Sequence, residues 1–246
     1  MLQPIPASEP RRQIVPEFKN DILRALSEED VTRLIRQGSG VELAFGARLY
    51  QPGASVDWVY FPEDALLSLV VATEDGRTAE SGMVGHEGAM GLVEACGSGM
   101  SALTCIVQAP GPAWRVPAVA CRALAAESES FRTVVWRVLE FQLVESRQSA
   151  TCRSFHPVER RLARWLLECR DRDGGGDTMP VTQEFMAAML GVQRTTVNSF
   201  AKVLQDRRLI DYSRGRVRFV DLDGLETAAC ECRNVLVGER ERLTSP

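Results

Sequence analysis

The hydrophobic pattern changes period along the chain, and the change divides it. Residues 41–45, 58–61, 66–72, 81–84, 104–108 and 113–116 are short apolar or alternating runs, punctuated by Pro52-Gly53, Asp75-Gly76 and Pro110-Gly111-Pro112. Strands this short, with turn residues this frequent, predict a β sandwich or barrel behind a short helix that opens at Ser27. From Ser128 the spacing becomes helical. Phe131, Val134, Val135, Val138, Leu139 and Phe141 make the first half of a helix apolar, and Gln142, Glu145, Gln148 and Ser149 make its second half mixed, to about Ser154. After a hinge at His156-Pro157, Val158, Leu162, Trp165, Leu166 and Cys169 recur on one helical face. Gly174-Gly-Gly176 then predicts a flexible connection.

Two further helices and a hairpin follow. Thr182 is placed to cap a helix over 182–190, with Glu184 in its first turn and Met186 and Leu190 on one face. Gly191 supplies a left-handed turn residue, and a second helix over 193–205 buries Val197, Ala201 and Leu204. Its other face carries Arg194, Thr195, Asn198, Ser199 and Lys202, short polar or cationic groups suited to base edges and phosphates in a major groove. Strands 209–212 and 217–220 flank Ser213-Arg214-Gly215-Arg216, so Arg214, Arg216 and Arg218 share one face of a hairpin. The reading is a winged helix-turn-helix, with Thr182, Arg194, Thr195, Asn198, Ser199, Lys202, Arg214 and Arg216 as the candidate DNA-binding residues.

Charge supports this assignment. Residues 151–218 hold 12 Arg and 1 Lys against 8 acidic residues, a net +5 within a chain of net −4. One basic unit in an acidic protein points to a single nucleic-acid-facing surface.

Gly191-Val-Gln-Arg-Thr-Thr-Val197 and Leu204-Gln-Asp-Arg-Arg-Leu-Ile210, with Val59-Tyr-Phe-Pro62 and Leu67-Ser-Leu69 ahead of the Asp75-Gly76 hairpin, resemble the Crp/Fnr family of transcriptional regulators. The resemblance implies an α+β chain: an N-terminal cyclic-nucleotide-binding-like β jelly roll (1–125), a long dimerisation helix (126–155) and a C-terminal winged helix-turn-helix (156–246). It implies a homodimer on double-stranded palindromic DNA, with Val134, Val135, Val138 and Phe141 in the dimer helix, and contact with RNA polymerase. Family members open the recognition helix with Arg-Glu-Thr-Val and place an Arg four residues after that Glu. Here Thr195 replaces the Glu and Ser199 the second Arg, so the family's best-known operator does not carry over.

The sensor pocket departs further. Family binders of cyclic nucleotides meet the phosphate with an arginine, whereas residues 78–114 contain neither Arg nor Lys. A buried phosphate without a counter-charge carries a large desolvation penalty, so neither cyclic AMP nor cyclic GMP is the expected ligand. An effector pocket for an unknown small molecule is placed at Gly85, His86, Glu87, Gly88 and Thr104.

Seven cysteines include no CxxC pair, and Cys230 and Cys232 would diverge on a helix, so no metal and no cofactor are expected. No nucleophile–base constellation suggests an enzyme. No apolar run reaches the ~18 residues of a membrane span, and Met1-Leu-Gln-Pro-Ile-Pro-Ala7 lacks a basic-then-apolar export signal, so a cytoplasmic location is expected. The alternative function is a metabolite- or cyclic-nucleotide-binding module whose C-terminal domain mediates protein contacts.

Overall fold

The computed structural model describes residues 17–243; the amino-terminal stretch considered above for export lies outside them. Helices α1 (Asp21–Ala25) and α2 (Glu28–Ile35) lead into β1 (Ser39–Leu43), β2 (Arg48–Tyr50), β3 (Trp58–Pro62), β4 (Leu66–Ala72) and β5 (Thr78–Val84). After α3 (Leu92–Cys96) come β6 (Thr104–Ala109) and β7 (Gly111–Pro117). Three helices follow, α4 (Ala118–Glu127), α5 (Glu129–Phe155) and α6 (Val158–Arg172). The last part is β8 (Thr178–Pro180), α7 (Gln183–Leu190), α8 (Arg194–Asp206), β9 (Ile210–Ser213), β10 (Arg216–Phe219), α9 (Leu222–Ala228) and α10 (Cys232–Leu243). No helix of the described residues is long and apolar enough to cross a membrane.

The first seven strands form two antiparallel sheets, ordered β1-β7-β3 and β2-β6-β4-β5, which make the expected β roll. Strand β4 explains how the roll meets the rest of the chain. Leu67 and Leu69 point into the roll's own core, together with Val84, Cys105 and Val107 from the neighbouring strands. Leu66 and Val70 point the other way and join Met83 and Ala109 in a second core with α6, α7 and α8. A strand alternates its side chains between faces, so a run apolar on both faces needs two cores. The outer face of this sheet is therefore covered by the C-terminal domain.

The junction also holds polar groups. Trp165 Nε1 donates to Glu80 Oε1 at 2.8 Å, and Arg153 donates to the Glu80 carbonyl. Ser68 Oγ lies 2.6 Å from Glu80 Oε2 and 3.0 Å from Met189 Sδ. One hydroxyl hydrogen cannot serve both contacts. A protonated Glu80 donating to Ser68 would release that hydrogen to Met189. Burial pushes the Glu80 carboxyl up to about 8, with Glu145 adding to the rise and the Ser68, Trp165 and Arg172 interactions opposing it.

Beside Glu80, the ion group around Arg172 ties three elements together. Arg172 is 2% exposed. Its Nη2 donates to Glu145 Oε1 of α5 at 2.7 Å. Its Nε pairs with Glu87 Oε1, after β5, at 2.8 Å, without the alignment of a hydrogen bond. Glu168, one turn back on α6, lies 3.8 Å from Arg172 Nη1 and is itself bonded by Arg164 at 2.8 Å. Burial pushes Glu145 up to about 7, although Arg172 pulls it down. Removing one partner from a buried ion group strands the others, at a cost of about 3–5 kcal/mol.

The sign of the Glu80 contribution is definite. A carboxyl raised on folding binds its proton in the folded chain when the unfolded chain has released it, so stability falls as pH rises from about 4.5 to about 8. Glu80→Gln keeps a donor toward Ser68 and an acceptor for Trp165 but does not titrate. Its thermal midpoint is expected to match wild type near pH 4.5 and to exceed it at pH 8. Midpoints separated by the same amount at both pH values would contradict a raised Glu80.

Candidate nucleic-acid interface

The helix-turn-helix is built from locally explicit signals. Thr182 caps α7, its side chain accepting from Phe185 N at 3.1 Å. Gly191 ends the helix at φ 65, a left-handed conformation that glycine adopts without steric cost. Arg161 of α6 donates to the Leu190 carbonyl and satisfies the helix end from below. Val197, Ala201 and Leu204 seat α8 on the second core, so its opposite side faces solvent. Arg194, Thr195, Asn198, Ser199 and Lys202 are all exposed there, as is Thr182.

This face is ordered by α7. Arg194 reaches Glu184 Oε1 at 2.5 Å and Gln183 Oε1 at 3.3 Å, while Gln183 Nε2 donates to Asn198 Oδ1 at 2.9 Å. Ser199 turns its hydroxyl back to the Thr195 carbonyl at 3.0 Å. Glu184 and Gln183 therefore hold Arg194 and Asn198 in place, an ordering their sequence positions did not disclose.

The wing is a three-stranded sheet ordered β8-β10-β9, in which Ser213 pairs with Arg216 across the two-residue turn Arg214-Gly215. Both turn residues have positive φ, 50 and 72. Such a turn matches the twist of a hairpin, but an arginine in it costs about 1–2 kcal/mol relative to its relaxed backbone. Val217 and Phe219 are buried and Arg216 and Arg218 exposed, as the alternation predicts. Arg218 pairs with Asp211 at 3.0 Å. The glycine run before the wing is less free than expected. Gly174 and Gly175 hold left-handed conformations, Gly175 N bonds to Arg170 O at 2.8 Å, and β8 then joins the wing.

The residues assigned to an effector pocket do not form an open cradle. Gly85, Glu87 and Gly88 are buried, and Glu87 faces Arg172. A Cβ at Gly85 would lie 2.6 Å from Arg172 Cβ, so glycine is there to let α6 approach. His86 Nδ1 lies 3.1 Å from Asp21 Oδ2, and Nε2 is 3.4 Å from the Asp171 carbonyl. Thr104 stands apart, opposite Val70 on β4. The segment is a packing joint between the β roll and α6, and Arg172, the cation that reaches it, is occupied by carboxylates.

The long helix also corrects an expectation. Val134, Val138 and Phe141 are buried in the β-roll core of their own chain, in a stripe with Phe131, and Val135 is packed against it. Val134, Val138 and Phe141 are thus turned toward their own chain, while Val135 stays partly exposed beside Trp136 and Leu139. The outward stripe is instead Trp136, Leu139, Leu143, Ser146 and Ala150, with Trp136 66% and Leu143 45% exposed.

The cysteines correct another. Residue 230 precedes the last helix, which begins at Cys232, so a helical divergence of Cys230 and Cys232 does not occur. Both are buried with Cys152 in a small cluster separate from the two main cores. Helical spacing did offer one sign, since Cys152 and His156 stand four residues apart at the end of α5.

Residues 160–228 match the Crp-like helix-turn-helix domain family. Among solved structures, a Crp/Fnr-family transcriptional regulator from Eubacterium rectale is similar over 84% of this chain and 96% of its own, at 16% identity and TM-score 0.67. FixK2 from Bradyrhizobium japonicum is similar over 78% and 98%, at 14% identity and TM-score 0.67. TTHB099, a CRP-family transcriptional regulator from Thermus thermophilus, is similar over 77% and 96%, at 22% identity and TM-score 0.65. No curated protein matches the chain. A β roll, a long helix and a Crp-like helix-turn-helix in this order give the chain the fold and domain architecture seen in solved structures of Crp/Fnr-family regulators.

Proposed function

We propose that this protein is a homodimeric, sequence-specific DNA-binding transcription regulator. Its sensor would comprise residues 1–125, its dimer helix 126–155 and its DNA reader 156–246. The observation that carries this reading is the exposed face of α8 beside the wing. Arg194, Thr195, Asn198, Ser199 and Lys202 project from a helix whose other side is fixed in a core, with Arg214 and Arg216 alongside. A long cationic side chain on a strained turn is poorly explained by folding and well explained by a phosphate contact.

The outward stripe of α5 supplies the dimer interface in this proposal. Trp136, Leu139, Leu143, Ser146 and Ala150 alternate in steps of three and four, the spacing of a two-stranded seam. Two readers related by that axis would enter successive major grooves about 34 Å apart and read a palindrome. RNA polymerase is the proposed protein partner, and the cytoplasm the proposed location. The effector is proposed to be a small molecule other than a cyclic nucleotide, because Arg172 is already paired with Glu87 and Glu145 and offers no free charge to a phosphate.

Arg194→Ala is expected to weaken binding at the preferred operator by about 1–3 kcal/mol and to relax the preference at one base pair. Arg214→Ala and Arg216→Ala are expected to weaken binding to every sequence and to flatten its salt dependence. Titrations of operator and random duplexes at several salt concentrations separate the two effects, and an equal loss on both duplexes from Arg194→Ala would refute base reading. In sedimentation, Leu143→Asp is expected to shift the protein toward monomer while it stays folded. A folded Leu143→Asp protein with an undiminished dimer would remove this stripe from the interface.

A further inference from the structure

Four ligand-type atoms converge where the long helix ends. Cys152 lies in the last turn of α5, and His156 is the C-cap of that helix, one turn further on. Cys230 and Cys232 flank Glu231, Cys230 in the turn after α9 and Cys232 at the first position of α10. Cys152 Sγ is 3.4 Å from Cys230 Sγ, and Cys232 Sγ is 3.4 Å from His156 Nδ1. All four ligand atoms lie within 4.8 Å of one another.

These spacings suit a single ion. A tetrahedral zinc with bonds of about 2.3 Å to sulfur holds its ligand atoms roughly 3.8 Å apart. A disulfide would need its sulfurs at about 2.05 Å. Ordinary packing also gives a poor account of the group, because the three buried thiols belong to neither apolar core.

The surroundings orient the histidine. His156 Nε2 lies 2.9 Å from Glu231 Oε1, which leaves Nδ1 turned toward the thiols. An imidazole held by a carboxylate through its other nitrogen is the usual outer shell of a metal-bound histidine. Arg160 sits 3.5 Å from Glu231 Oε2 and donates to the Ala229 carbonyl at 3.2 Å, bracing the same turn.

We propose that Cys152, His156, Cys230 and Cys232 form a mononuclear, tetrahedral binding site for a divalent thiophilic cation of the zinc class. Thiolates with one imidazole select such ions over magnesium or calcium. Four protein ligands close the coordination sphere, which makes the site structural. Binding converts three thiols to thiolates and passes their protons to solvent, without oxidation or reduction. The ion joins the end of α5 to the α9–α10 turn, across the hinge at Pro157 that leads into the DNA-reading domain. The site does not depend on that domain's proposed function.

Cobalt(II) titrated into the reduced full-length protein is the test. It is expected to saturate at one ion per chain, with the intense visible bands of a tetrahedral thiolate site, and zinc is expected to displace it. Cys152→Ser, Cys230→Ser and Cys232→Ser should each abolish those bands, and Glu231→Gln should weaken binding by about 10- to 100-fold. Cys96→Ser, outside the cluster, should leave them unchanged. A reduced wild-type protein that gives no tetrahedral cobalt spectrum would overturn the proposal without any variant. Bands that persist in Cys152→Ser and Cys230→Ser would overturn the assignment of these ligands.

Discussion

Arg172 is the constraint on which the arrangement of the molecule depends. A guanidinium removed from water must be compensated, and its partners come from two other parts of the chain, Glu87 after β5 and Glu145 on α5. The end of α6 is thereby fixed against both the roll and the long helix. Gly85 permits the approach, and the apolar contact of Leu66, Val70, Met83 and Ala109 with the C-terminal core surrounds it. Because α6 also carries Arg161 to the end of α7, the placement of the helix-turn-helix follows from the same junction.

One stripe of α5 runs through the whole arrangement. Phe131, Val134, Val138 and Phe141 fill the core of the β roll, Glu145 meets Arg172, and Cys152 reaches the cysteine group. These residues recur in steps of three, four and seven, so they share one face. A displacement of this helix would act on the roll, the ion group and the hinge together. The opposite face, with Trp136 and Leu143, is left for association in the proposed dimer.

Local structure was largely legible in the sequence. The bounds of β4, the cap at Thr182, the turn at Gly191 and the alternation of the wing all follow from short-range chemistry. Strand β2, only Arg48–Tyr50, was too short to carry a period. The long helix was found but its faces were exchanged, because both sides of its first half are apolar and periodicity does not say which side meets its own core. The role of Arg172 was hidden for a different reason. A charged residue near a glycine run reads as solvent-exposed, and its partners lie 27 and 85 residues away by position, at Glu145 and Glu87. The cysteine group likewise joins residues whose separation, 78 positions for Cys152 and Cys230, conceals their contact.

Hydrogen exchange of the full-length protein, compared between wild type and Arg172→Gln, tests the central claim most directly. If Arg172 locks the helix-turn-helix domain to the β roll, its loss should speed exchange together in the 84–91 segment, in α5 around Glu145 and in α7, while the β1-β7-β3 sheet keeps its protection. Faster exchange confined to the end of α6, with the 84–91 segment and α7 unchanged, would show that the docking does not depend on this residue.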